Sequence, residues 1–224
     1  MINIIKNFKR PSPELIKAYS EQAAATVHEA MGKRGAMQSS MKPLYSGMKA
    51  CGCAITVKSQ AGDNLMILKA LDMAQAGDVL VVDTGSVTEE GPWGEIMTVQ
   101  AVIKGLAGLV IDGSVRDSMA IKEYGFPVFC KGVSVIGTAK ETVGYINHPI
   151  TCGNTIINPG DIILADEDGV VVIPLAEAEE ILAKSKERVA KEDKQIERLR
   201  AGESLFAIAG LQAVLDQKGC IEEK

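Results

Sequence analysis

The chain has 224 residues, 46% hydrophobic and 24% charged, with a formal net charge of −5 and a sequence pI of about 5.2. That length holds one large core or two small ones, and the acidic balance argues against a nucleic-acid groove or an anionic membrane surface as partner. No apolar run reaches the roughly 18 residues that a membrane span needs, and with aromatics at 4% the core must be built from Val, Ile, Leu, Ala and Met.

Met1 to Arg10 lacks the apolar segment and small-residue cleavage site of a secretory leader, so a cytoplasmic location is expected. Ser12-Pro13-Glu14 reads as a helix cap with proline in the first turn, followed by Leu15, Ile16 and Tyr19 at helical spacing. A second short helix holds Thr26, Val27, His28 and Ala30 and ends near Gly32. Lys42 to Gly47, punctuated by Pro43 and Gly47, is expected to be a loop.

Strands and helices then alternate. Ala54 to Val57 reads as strand, and Asp63-Asn64 opens a helix through Leu65, Ile67, Leu68 and Leu71. Val79 to Val82 is a continuous apolar strand, as expected for a sheet covered on both faces. Ile96 to Lys104 is helix, Leu109 to Ile111 strand, Ser118 to Tyr124 helix and Pro127 to Cys130 strand.

One pattern occurs twice: Ala76-Gly77-Asp78 before Val79, and Pro159-Gly160-Asp161 before Ile162, each a tight turn feeding a buried strand. Thr151 to Pro174 reads as hairpins. The sum is a layered α/β domain over residues 1–174. Beyond Pro174 the composition turns to Ala, Glu, Lys and Arg, and residues 175–224 form a helical extension. Glu177 to Arg200 is one long helix with a thin stripe of Ile181, Leu182, Val189 and Ile196, which packs on an edge of the body or crosses to another subunit. Leu205 to Leu215 is a second, shorter helix.

The five cysteines (Cys51, Cys53, Cys130, Cys152, Cys220) follow no framework spacing and are expected to be idle thiols in a reducing compartment. Cys51-Gly52-Cys53 places two thiols on one face of a strand without implying a ligand role. With only His28 and His148, a His-rich zinc site is excluded. His28 is expected in a buried or capping role and His148 in a turn.

The chemistry concentrates between Gly91 and Asp117. Gly91-Pro92-Trp93-Gly94 is a glycine-punctuated loop opening directly into a helix at Glu95-Ile96-Met97, whose free N–H groups suit a carboxylate ligand. Asp112 to Asp117 follows the strand Leu109 to Ile111 at its carboxyl end, where open α/β sheets usually bind ligands. Arg116 beside Asp117 offers an anion clamp and a hard oxygen ligand. It equally describes a surface ion pair with a turn-forming Asp, and spacing alone does not choose.

Four blocks carry a resemblance: Ala25 to Gly32; Gly62 to Ile67 leading to Gly77 to Val82; Gly94 to Met97 with Ile111 to Asp117 and on to Phe129; and Asn158 to Asp161 with Asp166 to Pro174. In these the chain resembles the class II pyruvate aldolases known as 4-hydroxy-4-methyl-2-oxoglutarate / 4-carboxy-4-hydroxy-2-oxoadipate aldolases. They are a branch of the regulator-of-ribonuclease-activity-A-like (RraA-like) superfamily. The family signature is an acidic residue, twenty intervening residues, then Arg-Asp; here Glu95 precedes Arg116-Asp117 by that spacing.

The resemblance implies a β/β/α swivelling-type fold with a long C-terminal helix. It implies Mg²⁺ or Mn²⁺ on Asp117, Arg116 at the keto or leaving oxygen, and the backbone around Gly94, Ile96 and Met97 on the pyruvyl carboxylate. Glu95 would orient a water, and Asn64 would line the pocket. It further implies a homotrimer or homohexamer in which a glutamate from a neighbour's C-terminal helix reaches the site, with Glu192 as the match. The implied activity is retro-aldol cleavage to pyruvate and a second keto acid, with an oxaloacetate decarboxylase side activity and a place in aromatic degradation.

Leu68 departs from relatives that carry His there. A non-catalytic regulator of a ribonuclease is the alternative. A menaquinone methyltransferase is disfavoured, since no glycine-rich nucleotide fingerprint follows a first strand.

Overall fold

The computed structural model describes residues 2–221. Its centre is an eight-stranded sheet. The strands β2 (Ala50–Lys58), β3 (Asp78–Asp83), β4 (Gly108–Ile111) and β6 (Val128–Cys130) run parallel, joined by helices α3 (Leu65–Met73), α4 (Glu95–Lys104) and α5 (Ser118–Glu123). On the other side of β2 the antiparallel pair β11 (Ile162–Asp166) and β12 (Gly169–Ile173) extends the sheet. Beyond β6 lies β1 (Lys42–Pro43), and β8 (Tyr145–Ile146) pairs with the end of β2. The two ends of the sheet approach each other where β1 meets β12, which nearly closes it. Two small ladders complete the strands: β5 (Ser114–Val115) with β7 (Gly132–Val133), and the hairpin β9 (Ile150–Cys152) with β10 (Thr155–Ile157), whose first strand lies against β3.

The apolar strands form this sheet because both its faces are covered. Alternate residues of β11 and β12 serve two cores. Ile163, Ala165, Val170 and Val172 join the main core, while Ile162, Leu164, Val171 and Ile173 join a second. That second core is roofed by α1 (Pro13–Ser20), α2 (Ala24–Ala30) and the first turns of the long helix α6 (Ala178–Arg200). The Ser12 hydroxyl caps α1 by accepting from the Leu15 N–H at 3.2 Å, as the sequence signal anticipates.

The twice-occurring turn is one structure used twice. Gly77 and Gly160 have φ of +83° and +91°, and Asp78 and Asp161 each accept from the N–H three residues earlier, both at 2.8 Å. The strands they launch, β3 and β11, flank β2 on its two sides.

Two expectations change, and two are sharpened. Lys42–Pro43 is an edge strand rather than loop, the place in a sheet where proline's missing N–H is tolerated. The helix expected over Leu205 to Leu215 is two, α7 (Leu205–Ile208) and α8 (Leu211–Gln217), split at Gly210 with φ of +66°. Helix α3 is opened by Asp63, whose Oδ1 accepts from the Leu65 N–H at 2.8 Å, while the Asn64 side chain makes no cap bond. Cys51 and Cys53 hold nothing together: all five thiols are free, and burial raises the pKa of both to about 12. No described helix is long and apolar enough to cross a membrane.

Candidate active site

The site forms where two loops cross at the carboxyl ends of the parallel strands. Residues 91–94 and 112–117 are stitched by the Arg116 N–H, which donates to Trp93 O at 2.8 Å. Trp93 is the pivot: fully buried, stacked on Phe126 at 5.9 Å, its indole N–H donates to Thr98 Oγ1 at 2.8 Å. Thr98 in turn donates to Gly94 O at 3.0 Å. This packing sets where α4 begins.

Gly94 occupies the N-cap of α4 and offers no side-chain cap. A Cβ there would stand 2.4 Å from Asp117 Oδ2 and 3.1 Å from Arg116 Nε, so glycine is what admits these groups to the helix start. The same Asp117 oxygen accepts from the Glu95 N–H at 3.0 Å and lies 3.6 Å from Arg116 Nε. Asp117 reaches this position in the left-handed region, φ +55°, a conformation Asp tolerates better than most residues. The N–H groups of Ile96 and Met97 lie in the first turn, where a helix supplies no internal acceptor.

A cleft of about 300 Å³ opens over this start, lined by Asn64, Leu68, Glu95, Met97, Thr138 and Lys140 together with Arg116 and Asp117. Arg116 and Asp117 also line a broader depression of about 760 Å³ with Glu89 and Val135, so the pair forms the wall between two cavities. Asn64 donates from Nδ2 to Pro92 O at 3.0 Å, and its Oδ1 is buried without a partner.

Every expected site residue except Glu192 therefore meets here. Glu192 lies on α6, is not among the residues lining either cavity, and pairs with Arg188 at 2.8 Å.

Thr138 and Lys140 were not anticipated. They arrive on the loop between β7 and β8, which Asp63 pins by accepting from the N–H groups of Glu141 and Thr142 at 2.7 and 2.9 Å. Burial alone would raise the Asp63 pKa; these bonds and the one from Leu65 outweigh it and hold the carboxyl below the usual range. The one sequence signal for this loop was the absence of periodicity between Val133 and Tyr145. The histidines stay outside the cleft: His28 Nδ1 sits 3.0 Å from Arg34 O, and the His148 ring packs edge-on against Tyr145.

Among the described residues no three His, Cys, Asp or Glu side chains converge as metal ligands. A lone carboxylate does not fit zinc but does fit Mg²⁺, which keeps most of its waters and takes one or two carboxylates. The cleft's formal charges, Arg116 and Lys140 against Glu95 and Asp117, cancel. A bound divalent cation would make it positive for a multiply charged acid.

Fold and site together define an α/β protein with a polar cleft at a strand-end Arg-Asp turn. Residues 24–172 match the family described as RraA-like, Aldolase/RraA, and the chain belongs to that family. A protein of Halalkalibacterium halodurans, named "Putative 4-hydroxy-4-methyl-2-oxoglutarate aldolase", is 40% identical over 157 residues, covering 70% of this chain and 75% of its own. The solved structure of Streptomyces coelicolor RraAS2, titled an unusual member of the RNase ES inhibitor RraA protein family, is 28% identical. It aligns with a TM-score of 0.74 over 85% of this chain and 100% of its own. An uncharacterized protein from Pseudomonas syringae shares the fold at a TM-score of 0.80 and 24% identity, covering 92% of this chain and 97% of its own.

Proposed function

We propose that this protein is a divalent-metal-dependent lyase that cleaves a 4-hydroxy-2-oxo dicarboxylate or tricarboxylate into pyruvate and a second keto acid. The observation that carries the reading is the meeting of the Glu95 N–H and the Arg116 guanidinium on Asp117 Oδ2, beside the open start of α4. Aldolase names among the relatives support it.

In this reading Asp117 holds Mg²⁺ or Mn²⁺ through one carboxylate, and the ion when bound supplies Lewis acidity to the 2-keto group. The Ile96 and Met97 N–H groups bind the pyruvyl carboxylate, aided by the positive end of α4. Arg116 places its charge at the reacting oxygens, where negative charge grows. Lys140 meets the distal carboxylate, and Asn64 and Thr138 line the wall between. The proton of the 4-hydroxyl leaves through a water oriented by Glu95. As the C4–O bond becomes a carbonyl, the C3–C4 pair moves onto the pyruvyl fragment, which takes a proton at C3 to become pyruvate. Oxaloacetate decarboxylation needs the same enolate and is the expected side activity. The helical extension beyond Pro174, of which residues 222–224 lie outside the described residues, packs on a neighbouring subunit of a trimer or hexamer and brings Glu192 to its site.

The test is pyruvate release from 4-hydroxy-4-methyl-2-oxoglutarate with Mg²⁺ and with chelator, in the wild type and in Asp117→Ala. Wild-type turnover should require the metal, and Asp117→Ala should lose at least about a hundredfold. Full metal-dependent turnover by that variant, or indifference to chelation, overturns the proposal.

A regulator that binds a ribonuclease is the second reading, favoured by the likeness to RraAS2. It needs an exposed protein-binding face and leaves the cleft idle.

A further inference from the structure

Outside the cleft, one carboxylate is buried more deeply than any charged group the proposed reaction uses. Asp112, 3% exposed, follows β4 directly. Its carboxylate accepts from Ser86 Oγ at 3.0 and 2.8 Å and from the Gly153 N–H at 3.1 Å, and it contacts Lys131 Nζ. Lys131, with its side chain 10% exposed, also donates to Ser86 Oγ at 2.8 Å. Four segments thus converge on one ion pair: the loop after β3, the loop after β4, the junction of β6 and β7, and the turn of the β9–β10 hairpin.

The backbone repeats the grip. The Lys131 N–H donates to Gly113 O at 2.9 Å, the Asp112 N–H to Val82 O at 2.9 Å, and Thr84 Oγ1 to Asp112 O at 2.8 Å. Gly113 has no room for a side chain, since a Cβ would lie 2.6 Å from Thr84 Oγ1. The next two residues, Ser114 and Val115, pair with Gly132 and Val133, the residues that follow Lys131. Arg116 and Asp117 come next. The segment bearing the two site residues is therefore clamped from the Lys131 side by both main chain and side chain.

We infer that Lys131 is a positioning residue: its largely covered ammonium, paired with the buried Asp112, fixes the loop that presents Arg116 and Asp117 to the cleft. An ion pair of this kind is a weak source of net stability, but its donors and acceptors admit few arrangements. A packed apolar pair of the same volume would leave the loop freer. The kinetic part of the inference rests on the proposed lyase reading; the structural part does not.

The test is Lys131→Met in the full chain, with two readouts. In the unliganded protein, amide exchange at Gly113 to Arg116 should quicken by about tenfold or more while exchange in β2 and β3 stays parental. Turnover should show kcat lower by about ten- to a hundredfold, with KM within about threefold, as expected when bound substrate meets misplaced groups. Parental exchange at Gly113 to Arg116 overturns the inference whatever the turnover. Faster exchange with parental kcat overturns it too, because the pair would then hold the loop without serving the site. If the wild type turns over no hydroxy-keto acid, the lyase reading falls alone and exchange decides the clamp. Should Lys131→Met fail to fold, Ser86→Ala removes one ligand of the same carboxylate from an exposed loop. It must show the same pattern at smaller amplitude, and parental exchange in it overturns the inference.

Discussion

Gly94 separates the site from the fold more cleanly than any charged residue. Its φ of −152° is extended backbone open to any residue, so alanine there strains nothing in the main chain. The atoms nearest the added carbon belong to the Asp117 and Arg116 side chains, which are 42% and 46% exposed and so have solvent to move into. Gly94→Ala is therefore expected to lower kcat/KM by about a hundredfold or more while moving the urea midpoint hardly at all; a coincident collapse of stability would show that Gly94 serves the fold instead. Asp63 is the opposite case, acting through a loop. Its carboxyl is held below the ordinary carboxylate value, so the unfolded chain binds its proton more tightly than the native state does. Its stabilisation is whole above the unfolded value of about 3.9 and is lost as pH falls through the lower folded value. Asp63→Asn should therefore reduce stability at pH 7 by about 1–3 kcal/mol, and the deficit should shrink as the pH drops below about 4. Urea midpoints from pH 3 to 7 measure it, and a deficit that stays constant across that range removes the charge from the explanation. The two residues also show what a sequence reveals. Glu95, Arg116 and Asp117 were legible because motif spacing along the chain survives as proximity. Lys140 was not, because it reaches the cleft through the bonds of Gly62, Asp63 and Asn64 to Ala139, Glu141 and Thr142, far away in the chain, and nothing in its neighbours marks that tie.

The repeated Gly-Asp turn gives an internal control on what glycine contributes to an element. Both glycines have positive φ, a conformation costing an L residue roughly 1–2 kcal/mol. Their surroundings differ: a Cβ on Gly77 meets nothing within 4 Å, whereas on Gly160 it would fall 2.0 Å from Lys9 O. Gly77→Ala should cost about 1–2 kcal/mol, and Gly160→Ala should exceed it by about 1–3 kcal/mol because the N-terminal segment must move. Equal urea midpoints for the two variants would mean that the residue 9 backbone yields without cost. The strands these turns launch were readable as apolar runs, since a sheet covered on both faces leaves no alternation to obscure them. Edge elements were not. Lys42–Pro43 joins the sheet through two residues, too few to carry a period, and proline signals loop wherever it stands. The break at Gly210 was missed because the apolar spacing of Leu205, Leu211 and Leu215 runs through it, although a left-handed glycine ends a helix whatever its neighbours.

The C-terminal helices fit the body badly, and this bears on how many chains make a site. Only Ala178, Ile181, Leu182 and Ser185 of α6 are buried; beyond them Val189, Ile196 and Leu199 are about 40% exposed, as are Phe206, Leu211 and Val214 on the helices that follow. A 23-residue helix spans roughly 35 Å, so its far end stands well clear of the core that anchors its start. Glu192 sits on that outer stretch, away from Arg116 and Asp117 of its own chain. The thin stripe was legible in the amino-acid pattern, but the surface that covers it was not, because burial across subunits leaves the same apolar spacing as burial within one. If Glu192 serves a neighbour's cleft, Asp117→Ala and Glu192→Ala each inactivate, by damage to opposite halves of a shared site. Denatured together and refolded as mixed oligomers, the two variants should regenerate sites that pair an intact Asp117 from one chain with an intact Glu192 from another. Random mixing makes roughly a quarter of the sites whole, so activity should rise to about that fraction of wild type. Were Glu192 to act within its own chain, no mixture could contain an intact site and activity would stay at the level of the parents.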